Sequence, residues 1–251
     1  MVNILLVSHS HKLAQGTAEL VRQMAPSPDL KIRVAAGIGD DHNDIGTDAV
    51  EIMEALSELA EGSDVLVLMD LGSAVLSTEM ALQMLDESIT ARVRMCPAPF
   101  VEGAIAAGVQ ANAGSSIEEV YDEAIHALAA KQQQIIGDQL VQPMAPAMEN
   151  VVETESNHIA EDAELLVTVT NPSGLHARPA ATFIQTVKKY DAHLTVTNRT
   201  NAAEPVLVKG MISVMLLAAK QGDELMLQAA GPDKNEMLAE LKELFLTKFG
   251  E

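Results

Sequence analysis

From Gln132 to Ala177 the chain carries neither Lys nor Arg, while Glu149, Glu153, Glu155, Glu161, Asp162 and Glu164 accumulate. Inside that stretch, Gln142-Pro143-Met144-Ala145-Pro146-Ala147-Met148 follows no helical or strand period. A polar, acidic, proline-bearing segment between two periodic regions reads as a linker, kept extended by self-repulsion and proline. The chain of 251 residues therefore divides into a domain at 1–137, a linker at 138–162 and a domain at 163–251. Hydrophobic residues make up 48% of the whole but aromatics only 2%, with no Trp, so both cores must be built from Leu, Ile, Val, Met and Ala.

The formal net charge of −20 argues against nucleic acid as a partner, because phosphate backbones demand Lys and Arg. It suits partners that present basic surfaces. The single cysteine, Cys96, excludes an intramolecular disulfide and fits a reducing compartment. No apolar run reaches the length of a membrane span. The start, MVNILLVSHSHK, lacks a basic leader and reads directly as a buried strand. The expectation is a cytoplasmic protein without membrane attachment.

In the N-terminal domain Ile4–Val7 predicts a strand ending at Ser8-His9-Ser10-His11, then a helix with Leu13, Leu20, Val21 and Met24 on one face. Strand Leu30–Val34 leads into a loop rich in Gly and Asp, Gly37 to Gly46, and Thr47 is expected to cap a helix running to Leu59. Strand Asp64–Met69 ends at Asp70-Leu71-Gly72-Ser73, and the next helix carries Leu76, Met80 and Met84 as packing residues. Strand Ala91–Cys96 and helices near 100–110 and 116–134 complete the domain. Strands alternating with helices imply an α/β domain with a parallel sheet, whose ligands gather at the carboxyl ends of the strands.

Those ends supply His9, the Gly/Asp loop, and Asp70 with Gly72 and Ser73. Asp70 is suited to hold the His9 ring in one tautomer, and Gly72 and Ser73, opening a helix, to offer N–H groups to phosphate. Ser10 joins them as a candidate phosphate contact. Asp40, Asp41 and Asp44 do not have the spacing of a calcium loop and read as a solvated acidic turn, so no metal site is expected. Cys96 reads as a small core residue. His42, His126, His158 and His193 lack a supporting cluster.

The C-terminal domain contains Asn171-Pro172-Ser173-Gly174-Leu175-His176-Ala177-Arg178-Pro179-Ala180, where the alternating run Leu165–Thr170 hands over to a helix. A helix start is a ready anion site, Arg178 adds a planar two-pronged donor for phosphate oxygens, and proline is tolerated in a first turn. This cluster points to His176 as a phosphoryl carrier. The remaining pattern (strands at Ala192–Thr197, Val206–Val208 and Gly222–Gln228, helices opened by Gly210 and following Gly231-Pro232) gives βαββαβα, an α+β domain with helices on one face of an antiparallel sheet.

That motif and element order resemble the histidine-containing phosphocarrier HPr of the bacterial phosphoenolpyruvate (PEP)-dependent phosphotransferase system (PTS), over about 163–250. The resemblance implies that His176 is phosphorylated on Nδ1 by enzyme I, with Arg178 assisting. Gly210 stands where regulated HPr proteins carry a serine, which argues against regulation by serine phosphorylation. The N-terminal domain is similar to the mannose-type IIA fold. Asn3 to Ser10 together with Val67 to Ala74 resemble the phosphotransfer subunits of PEP-dependent dihydroxyacetone kinases, over about 1–135.

That second resemblance implies phosphorylation of His9 on Nε2 with Asp70 as its partner, and homodimerisation through this domain. It implies a phosphotransferase subunit acting in a relay: PEP to enzyme I, to His176 directly or through a free HPr, to His9, and on to ADP held by a nucleotide-binding kinase subunit. The ATP formed there phosphorylates dihydroxyacetone, which a third subunit holds covalently. The chain lacks the P-loop pattern, so no tightly bound cofactor is expected and ADP/ATP belongs to the partner. It ends at Glu251 without an enzyme I-like segment, so a separate enzyme I is expected. The competing readings are a IIA–HPr component feeding a mannose-class sugar permease and a regulatory module that reports phosphorylation state.

Overall fold

The computed structural model describes residues 1–136, 163–172, 174–201 and 204–250, so the expected linker at 138–162 lies outside the described residues. In the N-terminal part, β1 (Val2–Ser8), β2 (Ile32–Ala36), β3 (Asp64–Met69) and β4 (Val93–Cys96) form a sheet in the order β2-β1-β3-β4, with every pair parallel. β1 is buried along its whole length because both of its faces are covered. Ile4 and Leu6 pack under α1 (His11–Met24) and α5 (Phe100–Asn112), whereas Leu5 and Val7 pack under α2 (Ala49–Leu59) and α3 (Gly72–Gln83). Helices α4 (Glu87–Thr90), α6 (Ile117–Ile125) and α7 (Leu128–Ile136) complete this part.

The register matters more than the layers. Ser8 pairs with Ala36 and Val7 with Met69, so the residues that leave the three strands (His9, Gly37 and Asp70) emerge side by side. The chain runs from β1 outward to β2 and then back across to β3, which makes the β1/β3 boundary the switch in strand order where a crevice opens.

Four expectations about helices are corrected. On α1 the core stripe is Ala14, Thr17, Ala18 and Val21, while Leu13 and Leu20 are exposed. On α3 it is Ala74, Thr78 and Ala81, leaving Leu76 62% and Met80 59% exposed and Met84, at the C-cap, exposed too. Small residues let these helices approach the sheet closely, and the large apolar side chains lie on the opposite arc. Helix α2 is capped by Asp48, whose carboxylate accepts from Val50 N at 2.8 Å, in place of Thr47, and Val50 is exposed. The stretch 116–134 is broken at His126-Ala127 into α6 and α7, and the four-residue α4 was not signalled. Strand β2 lies about two residues later than its expected span.

The C-terminal part has β5 (Ala163–Thr168), α8 (Ala177–Val187), β6 (His193–Asn198), β7 (Val206–Leu207), α9 (Met211–Leu216), β8 (Glu224–Ala230) and α10 (Lys234–Leu246), the expected βαββαβα order. Its antiparallel sheet runs β5-β8-β6-β7, and β8 alternates buried with half-exposed residues, as a sheet covered on one face should. Three of the chain's four Phe residues, Phe183, Phe245 and Phe249, meet there with ring centroids 5.1–6.5 Å apart.

Candidate functional site

His9 and Asp70 meet at the β1/β3 switch. His9 Nδ1 lies 2.9 Å from Asp70 Oδ1. A carboxylate only accepts, so Nδ1 carries the ring proton in this pair and the neutral ring keeps its lone pair on Nε2. Asp70 is held in turn by the backbone N–H of His9 (2.9 Å), the Ser8 hydroxyl (2.8 Å) and Leu71 N (2.7 Å). Partial burial pushes the Asp70 carboxyl up, but bonds from the His9 ring and backbone, Ser8 and Leu71 outweigh it and hold the group below its ordinary value. The ring is thus fixed at one nitrogen and available at the other.

The available nitrogen faces the start of α3. His9 Nε2 lies 2.6 Å from the Ser73 hydroxyl, which therefore donates to it. Gly72 and Ser73 are the first two residues of a twelve-residue helix, so their N–H groups have no helical carbonyl behind them and stand at the positive end of the dipole. The sequence-predicted set His9, Asp70, Gly72 and Ser73 is brought together. Ser10 has a different place: it caps α1, accepting from Leu13 N at 3.3 Å, and its own N–H donates to Ser8 Oγ at 3.1 Å.

Two contributions are not legible in the sequence. Ser8, buried as the last residue of β1, braces Asp70 from beneath. His11 Nδ1 donates to Ala36 O at 3.1 Å, and its ring stacks on His42 with centroids 5.2 Å apart. His42 takes a left-handed φ of 55° in the Gly37–Gly46 loop, whose last N–H donates to the His9 carbonyl at 3.1 Å. The loop is therefore tied to both histidines. A second His two residues after the first was the available signal, and it carried no spacing rule.

His176 is the N-cap of α8, half-buried, with extended backbone (φ −75°, ψ −177°), and its carbonyl accepts from Ala180 N at 3.0 Å. Arg178 is exposed in the first turn, and Pro179 occupies the third helical position, where no intrahelical N–H is missed. Gly174 sets the approach: at φ +70° it is left-handed, a Cβ there would overlap the Ala219 carbonyl, and that same oxygen accepts from Leu175 N at 3.0 Å. Gly174→Ala is accordingly expected to cost at least about 3 kcal/mol in urea unfolding. Gly222→Ala, at φ +90° in open space, should cost only about 1 kcal/mol. Equal losses would show that the close approach to Ala219 adds nothing.

Residues 3–121 match the family model described as the PTS system fructose IIA component, and residues 163–246 that of the PTS HPr component phosphorylation site. Over 254 aligned residues the chain is 40% identical to the PEP-dependent dihydroxyacetone kinase phosphoryl donor subunit DhaM of Escherichia coli, covering 100% of this chain and 51% of that protein. Over 123 residues it is 34% identical to the phosphoryl donor subunit DhaM of the PEP-dependent dihydroxyacetone kinase 2 of Listeria innocua, covering 49% of this chain and 96% of that protein. The chain belongs to the family of PEP-dependent dihydroxyacetone kinase phosphoryl donor subunits. It spans about half the length of the donor subunits that it matches end to end.

Its C-terminal part is also 38% identical over 85 residues to the phosphocarrier protein HPr of Xylella fastidiosa, covering 34% of this chain and 92% of that protein. The IIA-like parallel-sheet domain and the HPr-like domain of this family member are thus those expected from its sequence. Among the described residues, no helix is long and apolar enough to cross a membrane.

Proposed function

We propose that the chain is a two-station phosphoryl relay, loaded at His176 by enzyme I or a free HPr and discharging from His9 to ADP on a kinase nucleotide-binding subunit. The ATP so formed would serve dihydroxyacetone phosphorylation. The observation that carries this reading is the His9 ring, tied at Nδ1 to Asp70 at 2.9 Å and presenting Nε2 to Ser73 at 2.6 Å. In the first step the Nε2 lone pair attacks phosphorus on His176 Nδ1 in line; one N–P bond forms as the other breaks, and the electron pair returns to His176. In the second, a terminal phosphate oxygen of ADP attacks and His9 Nε2 leaves.

Catalysis is positioning and charge compensation. The Ser73 hydroxyl turns from Nε2 to a phosphoryl oxygen, joined by the N–H groups of Gly72 and Ser73. Asp70 balances the positive charge the ring gains while it carries phosphate. Arg178 plays the charge-compensating part at His176. Leu71, Leu76 and Met80 are exposed beside this site and suit an apolar acceptor surface with a basic rim, given the net charge of −20. The reading places the protein in the cytoplasm, self-associated through its N-terminal domain, with 138–162 as the linker.

The deciding experiment offers the phosphorylated chain, in parallel, the ADP-loaded kinase subunit and a mannose-class permease IIB domain. Transfer to ADP with formation of ATP is expected. Transfer to IIB alone would overturn the assignment of the acceptor.

A further inference from the structure

Helices α8 and α9 of the HPr-like domain rest on α1, α5 and α7 of the N-terminal domain, and side chains of α6 reach across to them. Polar contacts between described residues cross the boundary. Glu123, half-buried on α6, accepts a hydrogen bond from Ile212 N at the start of α9. Gln110 Nε2 donates to Lys209 O at 3.1 Å, and Lys188 pairs with Glu119 at 2.8 Å on the surface. Gly210 makes the first of these contacts possible, because a Cβ there would overlap the Glu123 carboxylate. Its φ of −161° is extended and open to any residue, so the need for glycine comes from the neighbouring domain and not from the backbone.

Features of this boundary oppose a permanent fit. A crevice of about 820 Å³ remains between the two surfaces, lined by Glu123, His126, Val187, His193 and Ile212 among others. Gln110 is 2% exposed, and its Oε1 has no hydrogen-bond partner among the described residues. Burial pushes the Glu123 carboxyl above its ordinary value, against the pull of the Ile212 N–H, His126 and Lys188. An unsatisfied amide oxygen, a poorly solvated carboxylate and unfilled space each cost free energy that a well-formed core contact avoids.

We infer that Glu123 is the clasp of a reversible docking between the two domains, with the backbone at Gly210–Ile212 as its receptor. When the clasp is made, the HPr-like domain is held on the α5–α6 face; when it opens, the Val187 and Ile212 face is freed for other contacts. Glu123 joins α9 only as an acceptor, so a side chain that keeps an acceptor oxygen should preserve the docked form. One that fills the Gly210 position should not.

The test uses the full chain labelled at Glu54→Cys and Asn235→Cys, both exposed, while the native Cys96 is buried. Single-molecule energy transfer should resolve a docked and a separated population. Gly210→Asp puts a favourable cap on α9 but sets a second carboxylate against Glu123. It and Glu123→Ala should lower the docked-to-separated ratio at least about tenfold, the effect of one hydrogen bond to a charged group. Glu123→Gln and Lys188→Ala should stay within about twofold of wild type, the latter because exposed ion pairs contribute little. Circular dichroism checks that each variant is folded. The inference is overturned if Gly210→Asp and Glu123→Ala leave the distribution unchanged, if Lys188→Ala separates the domains as far as they do, or if wild type shows no docked population.

Discussion

His9→Ala is expected to accept phosphate at His176 from PEP and enzyme I, yet to lose more than about 10³-fold of its capacity to drive ATP formation on the kinase subunit. The size of the loss follows from the absence of a substitute at the site. His11 is two residues away, but its Nδ1 is committed to Ala36 O and its ring is stacked on His42. Ser73 and Ser10 offer hydroxyls with no base poised to activate them, since the ring that contacts Ser73 is the one removed. The variant should remain folded, because β1 is anchored by Ile4, Leu5, Leu6 and Val7, all fully buried, whereas the His9 ring is partly exposed. Phosphopeptide mapping should find label on the peptide containing His176 and none on that containing His9. His176→Ala should give no label on either peptide with enzyme I alone, and label on His9 only if a free HPr can bypass the missing station. Full activity of His9→Ala with purified components would reject the proposed order.

The parts of this site that sequence exposes are those that depend on where strands stop. His9 and Asp70 each directly follow a mostly buried strand, and in a parallel sheet two such ends fall on the same edge whatever the helices do. Ser8 gives no such signal, because a serine that closes an apolar run reads simply as the end of the strand. The faces of α1 and α3 escape the sequence pattern for a related reason. Large apolar residues mark the core only when a helix stands off from the sheet; here Ala14, Ala18, Ala74 and Ala81 make the contact, so Leu76 and Met80 are left outside. In the HPr-like domain, Gly174 was visible as a turn residue, but its approach to Ala219, 45 positions away in the chain, is a tertiary fact. The same holds for Glu123 and Gly210: nothing local in α6 or α9 predicts that one will meet the other.

Asp70→Asn is the second large effect expected, and it separates the ring's orientation from its presence. The carboxylate takes four donors, two on each oxygen: His9 Nδ1 and Leu71 N on Oδ1, His9 N and Ser8 Oγ on Oδ2. An amide has one oxygen. If that oxygen replaces Oδ1, its NH₂ group is forced against the His9 backbone N–H; if it replaces Oδ2, the NH₂ group faces Nδ1 and favours the tautomer protonated at Nε2, which has no lone pair there. Both arrangements also lose the negative charge that balances a phosphorylated ring. Transfer through His9 should fall about 10–100-fold while loading of His176 is unchanged. The pH dependence carries a separate sign. Because the folded protein holds the Asp70 carboxyl below its ordinary value, the stabilisation it contributes is present above the unfolded carboxylate value and is lost as pH falls through the depressed folded one. Wild-type urea midpoints should therefore drop in that acid window by an increment missing from Asp70→Asn, and the transfer defect should persist at neutral pH, where Asp70 is fully ionised. A variant whose transfer rate stays within twofold of wild type, with the same acid profile, would show that His9 needs no carboxylate beside it.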